Sequence, residues 1–154
     1  MAAICEHFLN LPVAKSQLSD DAKHALRVLL ADDQEQVRQT VAEIISEKFQ
    51  VVGLAENGRR ALELAYLLSP DVVLLDVSMP VMNGLEAASR LKKAGSLAKV
   101  VVLTVHDDPS FVEAALAAGA SGYVLKTCLA TDLIESILIA MKGGVFISES
   151  MNLE

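Results

Sequence analysis

Cysteine is scarce: Cys5 and Cys128 are the two such residues in a chain of 154. Two thiols do not make a disulfide framework. Stability must come from a hydrophobic core, and at 53% hydrophobic residues the chain can bury one as a single globular domain. Cys5 and His7 form a Cys-x-His pair, but no second ligand pair accompanies it, so the reading is a loose tail and not a metal site. Cys128, just after an apolar run, is expected as a buried or half-buried thiol.

Long apolar runs are also missing. The longest uncharged stretch of the C-terminal half, Ala114 to Leu125, lies between Glu113 and Lys126. It is too short and too rich in Ala and Gly for a bilayer span, which needs about 20 apolar residues. The opening Met-Ala-Ala-Ile-Cys-Glu-His lacks the basic and apolar regions of a signal peptide. A cytoplasmic protein without membrane contact is the expectation. Basic clusters are absent as well: no run of Lys and Arg exceeds two, and 20 acidic residues against 13 basic ones leave a net charge of −7. Direct binding of DNA is therefore not expected. A divalent cation or a basic protein surface suits the balance.

Internal repeats and low-complexity segments are lacking too. What the chain does have, from Ala25 onward, is a regular alternation. Short runs rich in Val and Leu recur at Ala25–Ala31, Gln50–Ala55, Asp71–Leu75, Lys99–Thr104 and Gly122–Leu125. Helical spacing fills the gaps. Gln34 to Lys48 carries Val37, Val41, Ile44 and Ile45 as one stripe, with Asp33 and Gln36 placed for a capping box. Gly58 to Leu68 stops at Ser69-Pro70. A third helix opens at Asn83-Gly84 and closes near Gly95. A fourth starts at Asp108-Pro109 and ends at Gly119. The fifth runs from about Thr131 to Lys142, before Gly143-Gly144. Strands alternating with helices imply parallel βαβ units, and continuously apolar strands imply that both sheet faces are covered. Five units give a three-layer α/β sandwich.

The polar residues of interest all fall at the C-terminal ends of strands: Asp32 and Asp33, Asp76, Thr104 and Lys126. These ends share one sheet edge, where ligands bind at the switch in strand order. Clustered carboxylates repel, so some are protonated or a cation sits among them. An all-oxygen site suits Mg²⁺, a lysine supplies a point charge for a phosphoryl oxygen, and a hydroxyl can donate to another. Asp76 can then act as a nucleophile. Taken singly, Asp33 reads as a cap, Asp32 as a turn residue, Thr104 as a β-former and Lys126 as a solvated lysine. Their joint arrival at one edge favours the chemical reading.

With those residues stand Leu29-Leu30-Ala31-Asp32-Asp33, Val73-Leu74-Leu75-Asp76-Val77-Ser78-Met79-Pro80, Gly84, Val102-Leu103-Thr104 and Gly119-Ala120-Ser121-Gly122-Tyr123-Val124-Leu125-Lys126. These blocks resemble the receiver (CheY-like) domain of response regulators over about residues 25–148. The end of that stretch, Gly143-Gly144-Val145-Phe146-Ile147-Ser148, is most similar to the LuxR/NarL type. The resemblance implies a flavodoxin-like, doubly wound (βα)5 fold with sheet order 2-1-3-4-5. It makes 25–148 the receiver domain and 149–154 a C-terminal tail or truncated linker, while residues 1–24, which show no sustained period, read as a flexible N-terminal extension.

The resemblance also implies roles. Asp76 would accept a phosphoryl group from a phosphohistidine of a sensor histidine kinase or phosphotransfer protein. Mg²⁺ would be held by Asp33, Asp76 and the backbone carbonyl of Ser78, with Asp32 acting directly or through water. Lys126 would contact the phosphoryl group, Thr104 would move toward it, and Tyr123 would change rotamer. Such a chain is a phosphoacceptor in two-component signalling, not an enzyme in the ordinary sense. Its output would be transcription through an effector domain absent from this chain, or protein–protein interaction as a stand-alone receiver, with a homodimer as one form. An Asp-based phosphohydrolase is the rival, but the place two positions after Asp76 holds Ser78 and not a carboxylate. Departures from the family pattern are Val105, where a small residue is usual, and Thr127, where Pro is common. The residue after Val105, His106, reads equally as a cover for the site or as an exposed loop residue.

Overall fold

In a computed structural model of the protein, residues 25–149 are described. The expected extension 1–24, its Cys5–His7 pair and residues 150–154 lie outside them. The elements are β1 (Arg27–Ala31), α1 (Glu35–Ser46), β2 (Gln50–Ala55), α2 (Gly58–Leu68), β3 (Val72–Asp76), α3 (Gly84–Lys93), β4 (Lys99–Thr104), α4 (Pro109–Ala117), β5 (Gly122–Leu125), α5 (Leu129–Met141) and β6 (Phe146–Ile147). A short 3₁₀ turn, Lys126–Cys128, joins β5 to α5.

The strands form one parallel sheet in the order 2-1-3-4-5-6. The expected order 2-1-3-4-5 is present, and β6 is added beside β5. Two residues carry too little pattern to mark a strand in sequence, and β6 exists because β5 offers it a backbone edge.

Successive residues of a strand point to opposite faces, which explains why the central strands are apolar throughout. Leu29, Val73, Leu75, Val102 and Tyr123 pack on one face against α2, α3 and α4. Val28, Leu30, Leu74, Leu103 and Val124 pack on the other against α1 and α5, through Val41, Ile45, Leu133 and Ile137. Full burial of one such side chain stabilises by about 1.5–3 kcal/mol, so two covered faces provide the core that disulfides do not. β2, on the edge, is only partly buried.

Local signals set most helix ends. Asn57, Asn83 and Asp108 cap α2, α3 and α4 by accepting from the backbone N–H of Arg60, Glu86 and Ser110. The capping box expected at α1 is not formed. Gln34 is the N-cap and makes no side-chain cap bond, because Asp32 takes the Gln34 N–H at 2.8 Å and Asp33 turns outward. α5 begins at Leu129, ahead of the expected Thr131, because the 3₁₀ turn leads straight into it.

α3 lies so close to the end of β3 that a Cβ on Gly84 would sit 2.0 Å from the carbonyl oxygen of Asp76. Gly84→Ala should therefore cost about 3 kcal/mol of stability, since the obstacle is backbone and cannot rotate away. Denaturant unfolding of parent and variant checks this, and a loss below about 0.5 kcal/mol would show that the helix shifts freely.

Candidate functional site

The sheet order places β1 beside β3 at the point where the chain reverses its winding, so Asp32 and Asp76 become neighbours. Asp33 follows Asp32, and one carboxylate oxygen from each of Asp32, Asp33 and Asp76 lies within 4.8 Å of the others. Asp32 is fully buried and Asp76 is 4% exposed, while Asp33 faces solvent. Lys126, at the end of β5, reaches back across β4 and β3. Its ammonium lies 2.7 Å from Asp32 Oδ2 and 3.2 Å from Asp76 Oδ1. The Asp32 contact is an ion pair, for no donor meets Oδ2 in good hydrogen-bonding geometry. Thr104, buried at the end of β4, accepts from the N–H of His106 at 3.0 Å. All five residues expected at this edge are brought together there.

Charge decides the character of the cluster. Three carboxylates against one ammonium leave an excess of two negative charges. Burial, then the neighbouring Asp32 charge, push the Asp76 carboxyl up from 3.8 to about 6, against the opposing pull of Lys126 and the Ser78 N–H. Burial also works against the charge on Lys126, yet Asp32 and Asp76 outweigh it and hold its pKa above the ordinary 10.5. The donor set is all oxygen, mostly carboxylate and short of positive charge, which fits a hard divalent cation.

The loops around the cluster are built to hold it. Ser78 N–H points at Asp76 Oδ1 at 3.4 Å. The loop after it closes with Met82 N–H on the Pro80 carbonyl, Gly84 N–H on the Val77 carbonyl and Gly58 N–H on the Met82 carbonyl. Val81 pays for that closure with φ at +70°, an unfavourable place for a β-branched residue. A shallow pocket of about 530 Å³ opens here, lined by Asp33, Ser78, Pro80 and Phe111 among others. A larger groove of about 730 Å³, bordered by Pro70, Asp71 and Leu97, lies elsewhere and contains no comparable cluster of acids. Chemistry and not size marks the site.

His106, which the sequence left open, and Tyr123 are now placed. The His106 ring stacks on Phe111, 4.2 Å between centroids and 7° from parallel, and its Nε2 lies 3.3 Å from Ser78 Oγ. It joins the loops after β3 and β4 and does not hang free. Tyr123 is fully buried and donates its hydroxyl to the His106 carbonyl at 2.8 Å. Burial raises its pKa, so the hydroxyl stays protonated as a donor. Sequence reasoning missed Phe111, since nothing in a fourth helix announces that one aromatic will stack on a loop histidine. It also missed Ser148, whose partners are described below.

A family model described as the response regulator receiver domain matches residues 28–138. The chain belongs to the response-regulator receiver family. It is 39% identical over 127 residues to the transcriptional regulatory protein DegU of Brevibacillus brevis, covering 81% of this chain and 54% of that one. To the nitrate/nitrite response regulator NarL of Escherichia coli it is 39% identical over 126 residues, 80% and 58% of the two chains. The receiver thus spans little more than half the length of these relatives. A solved signal receiver domain of the NarL-type regulator of Mycobacterium tuberculosis aligns at TM-score 0.74 and 36% identity, covering 77% and 98% of the two chains. Receivers of this kind are signalling modules and not ordinary enzymes. Among the described residues, no helix is long and apolar enough to cross a membrane.

The raised Asp76 pKa makes a testable demand. Folding favours the protonated acid, so its ionised form costs stability that appears as pH rises from about 4 to about 6 and is complete above that. Without divalent cations, Asp76→Asn should be the more stable protein at pH 7 by about 3 kcal/mol, each tenfold in proton affinity being about 1.4 kcal/mol. The gap should close by about pH 4. Urea unfolding at both pH values checks this; an equal gap at both would mean that burial of charge is not the cause.

Proposed function

We propose that this receiver takes a phosphoryl group onto Asp76 and thereby switches its contacts with a partner. The observation that carries the reading is the Lys126 bridge between Asp32 and Asp76 in a cluster still two charges short of neutral. Asp76 is the phosphoacceptor. One carboxylate oxygen attacks phosphorus, the P–N bond of the donor's phosphohistidine breaks, and the imidazole leaves with the electron pair. Lys126 meets the charge on the incoming phosphoryl oxygens. Thr104 already accepts from His106 N–H, so its own hydroxyl proton is available for a phosphoryl oxygen.

Asp33, Asp76 and the carbonyl of Ser78 are the residues that would hold Mg²⁺, with Asp32 direct or through water. The ion supplies the positive charge that the donor set lacks. Tyr123 links the site to the loop after β4 through His106, and a change there alters docking or self-association along α4, β5 and α5. The donor is a sensor kinase or phosphotransfer protein, and the output is transcriptional through an effector segment, in line with the similarity to the transcriptional regulatory protein DegU.

Incubation with phosphoramidate and Mg²⁺ should add one phosphoryl group by intact mass. Asp76→Ala or EDTA should abolish it, and modification persisting in Asp76→Ala would overturn the reading. Lifetime follows from the site's rim. Val105, 69% exposed, directly follows Thr104 at the end of β4, and His106 ties the loops after β3 and β4 to one another. Attack by water on phospho-Asp76 needs an in-line approach, and the stiff valine narrows it. Val105→Ala should therefore lose its phosphoryl group faster than the parent; an equal or slower rate in a dephosphorylation time course would show that Val105 is no gate.

A further inference from the structure

Ser148 lies beyond the residues matched by the family model, at the end of β6, yet it is buried to 1% exposure. Its N–H and its hydroxyl both find partners near Lys126. Its N–H donates to the Tyr123 carbonyl at 2.9 Å. Its hydroxyl accepts from the Leu125 N–H at 3.1 Å and donates to Asp132 Oδ2 at 2.7 Å. Leu125 is the residue before Lys126, and Asp132 sits in the first turn of α5, just after the 3₁₀ turn that Lys126 opens. The other oxygen of Asp132 accepts from Thr131 Oγ1 at 3.1 Å. One hydroxyl thus spans the turn, joined to the strand that enters it and the helix that leaves it.

We propose that Ser148 is a positioning residue for Lys126. The inference rests on the receiver reading above. A lysine stem has four rotatable carbons, and its ammonium meets Asp32 and Asp76 only if the backbone beneath it is fixed. β5 is only half covered on its outer side: β6 pairs with Gly122 and Tyr123 alone. Leu125 lies past the end of that ladder, and the Ser148 hydroxyl replaces the missing backbone acceptor. A serine is suited to this, since it accepts and donates at once. Alanine would leave a buried N–H and a carboxylate oxygen without partners. The C-terminal strand is by this account part of the site's framework, and whatever pulls on it acts on the lysine.

The consequence is specific. The metal-binding groups stand on the loops after β1 and β3, so the clamp should not touch them. In Ser148→Ala, Mg²⁺ affinity by calorimetry should match the parent, while the phosphorylation rate at saturating phosphoramidate should fall about tenfold, the scale set by small misplacements of a catalytic group. Ser148→Thr, which keeps the hydroxyl, should recover part of the rate. In a Lys126→Gln background the serine substitution should add less than about a twofold change, because the two residues act as one unit. Where Ser148→Ala does not fold, Asp132→Ala, which removes only the outer end of the clamp, takes its place in the same cycle. An active parent with additive effects of the two substitutions, or with Mg²⁺ affinity falling in step with rate, overturns the clamp alone. A parent that takes up no phosphoryl group overturns the receiver reading and the clamp with it.

Discussion

The ammonium of Lys126, held between Asp32 and Asp76 at 2.7 and 3.2 Å, is the interaction on which the sheet edge depends. Two buried carboxylates side by side repel through a medium less polar than water, and a third lies within reach. Without a nearby cation the site would bind protons or open to solvent. With one lysine it is held together but not neutral. Asp76 carries that compromise as a pKa near 6, whereas the lysine is held firmly charged. A site that remains short of positive charge suits a dication.

The fold is arranged so that this edge is rigid where the charges meet and adjustable at its rim. β1, β3 and β4 are buried on both faces, so Asp32, Asp76 and Thr104 stand on backbone that moves little. Lys126 comes from β5, which is flanked by the shortest strand of the sheet. The loop after β4 is tied at the rim by few contacts: His106 to Ser78, His106 to Phe111, and the His106 carbonyl to Tyr123. Loops closed by few bonds open at low cost. That division suits a module whose chemistry must be fixed and whose surface must change.

Much of this was legible in the sequence, and the reason is physical. Val72-Val73-Leu74-Leu75-Asp76 can be read as a buried strand ending in an acid because a run apolar at every position is stable only with both faces covered. Asn57, Asn83 and Asp108 announce helix starts because a short polar side chain satisfies free N–H groups locally. Parallel strands then oblige the acids at their ends to share an edge. The α/β class and the five edge residues follow from local pattern and chain connectivity, whereas the order of the first five strands came with the resemblance to receiver domains.

Other features have no local signature. Asp33 had the spacing of a helix cap, but Asp32, whose own N–H is held by the Ala55 carbonyl at the end of β2, captured the Gln34 N–H. His106 read equally as cover or loop until Phe111 was seen to lie against it. β6 and the Ser148 hydroxyl acquire meaning only when β5 presents an edge and α5 brings Asp132 alongside. The sequence by itself determined which chemical groups reach the site, because composition and periodicity act through near neighbours along the chain. Only the tertiary structure decided how those groups are braced and covered, because such contacts join residues distant in the chain and depend on the packed arrangement of several elements at once.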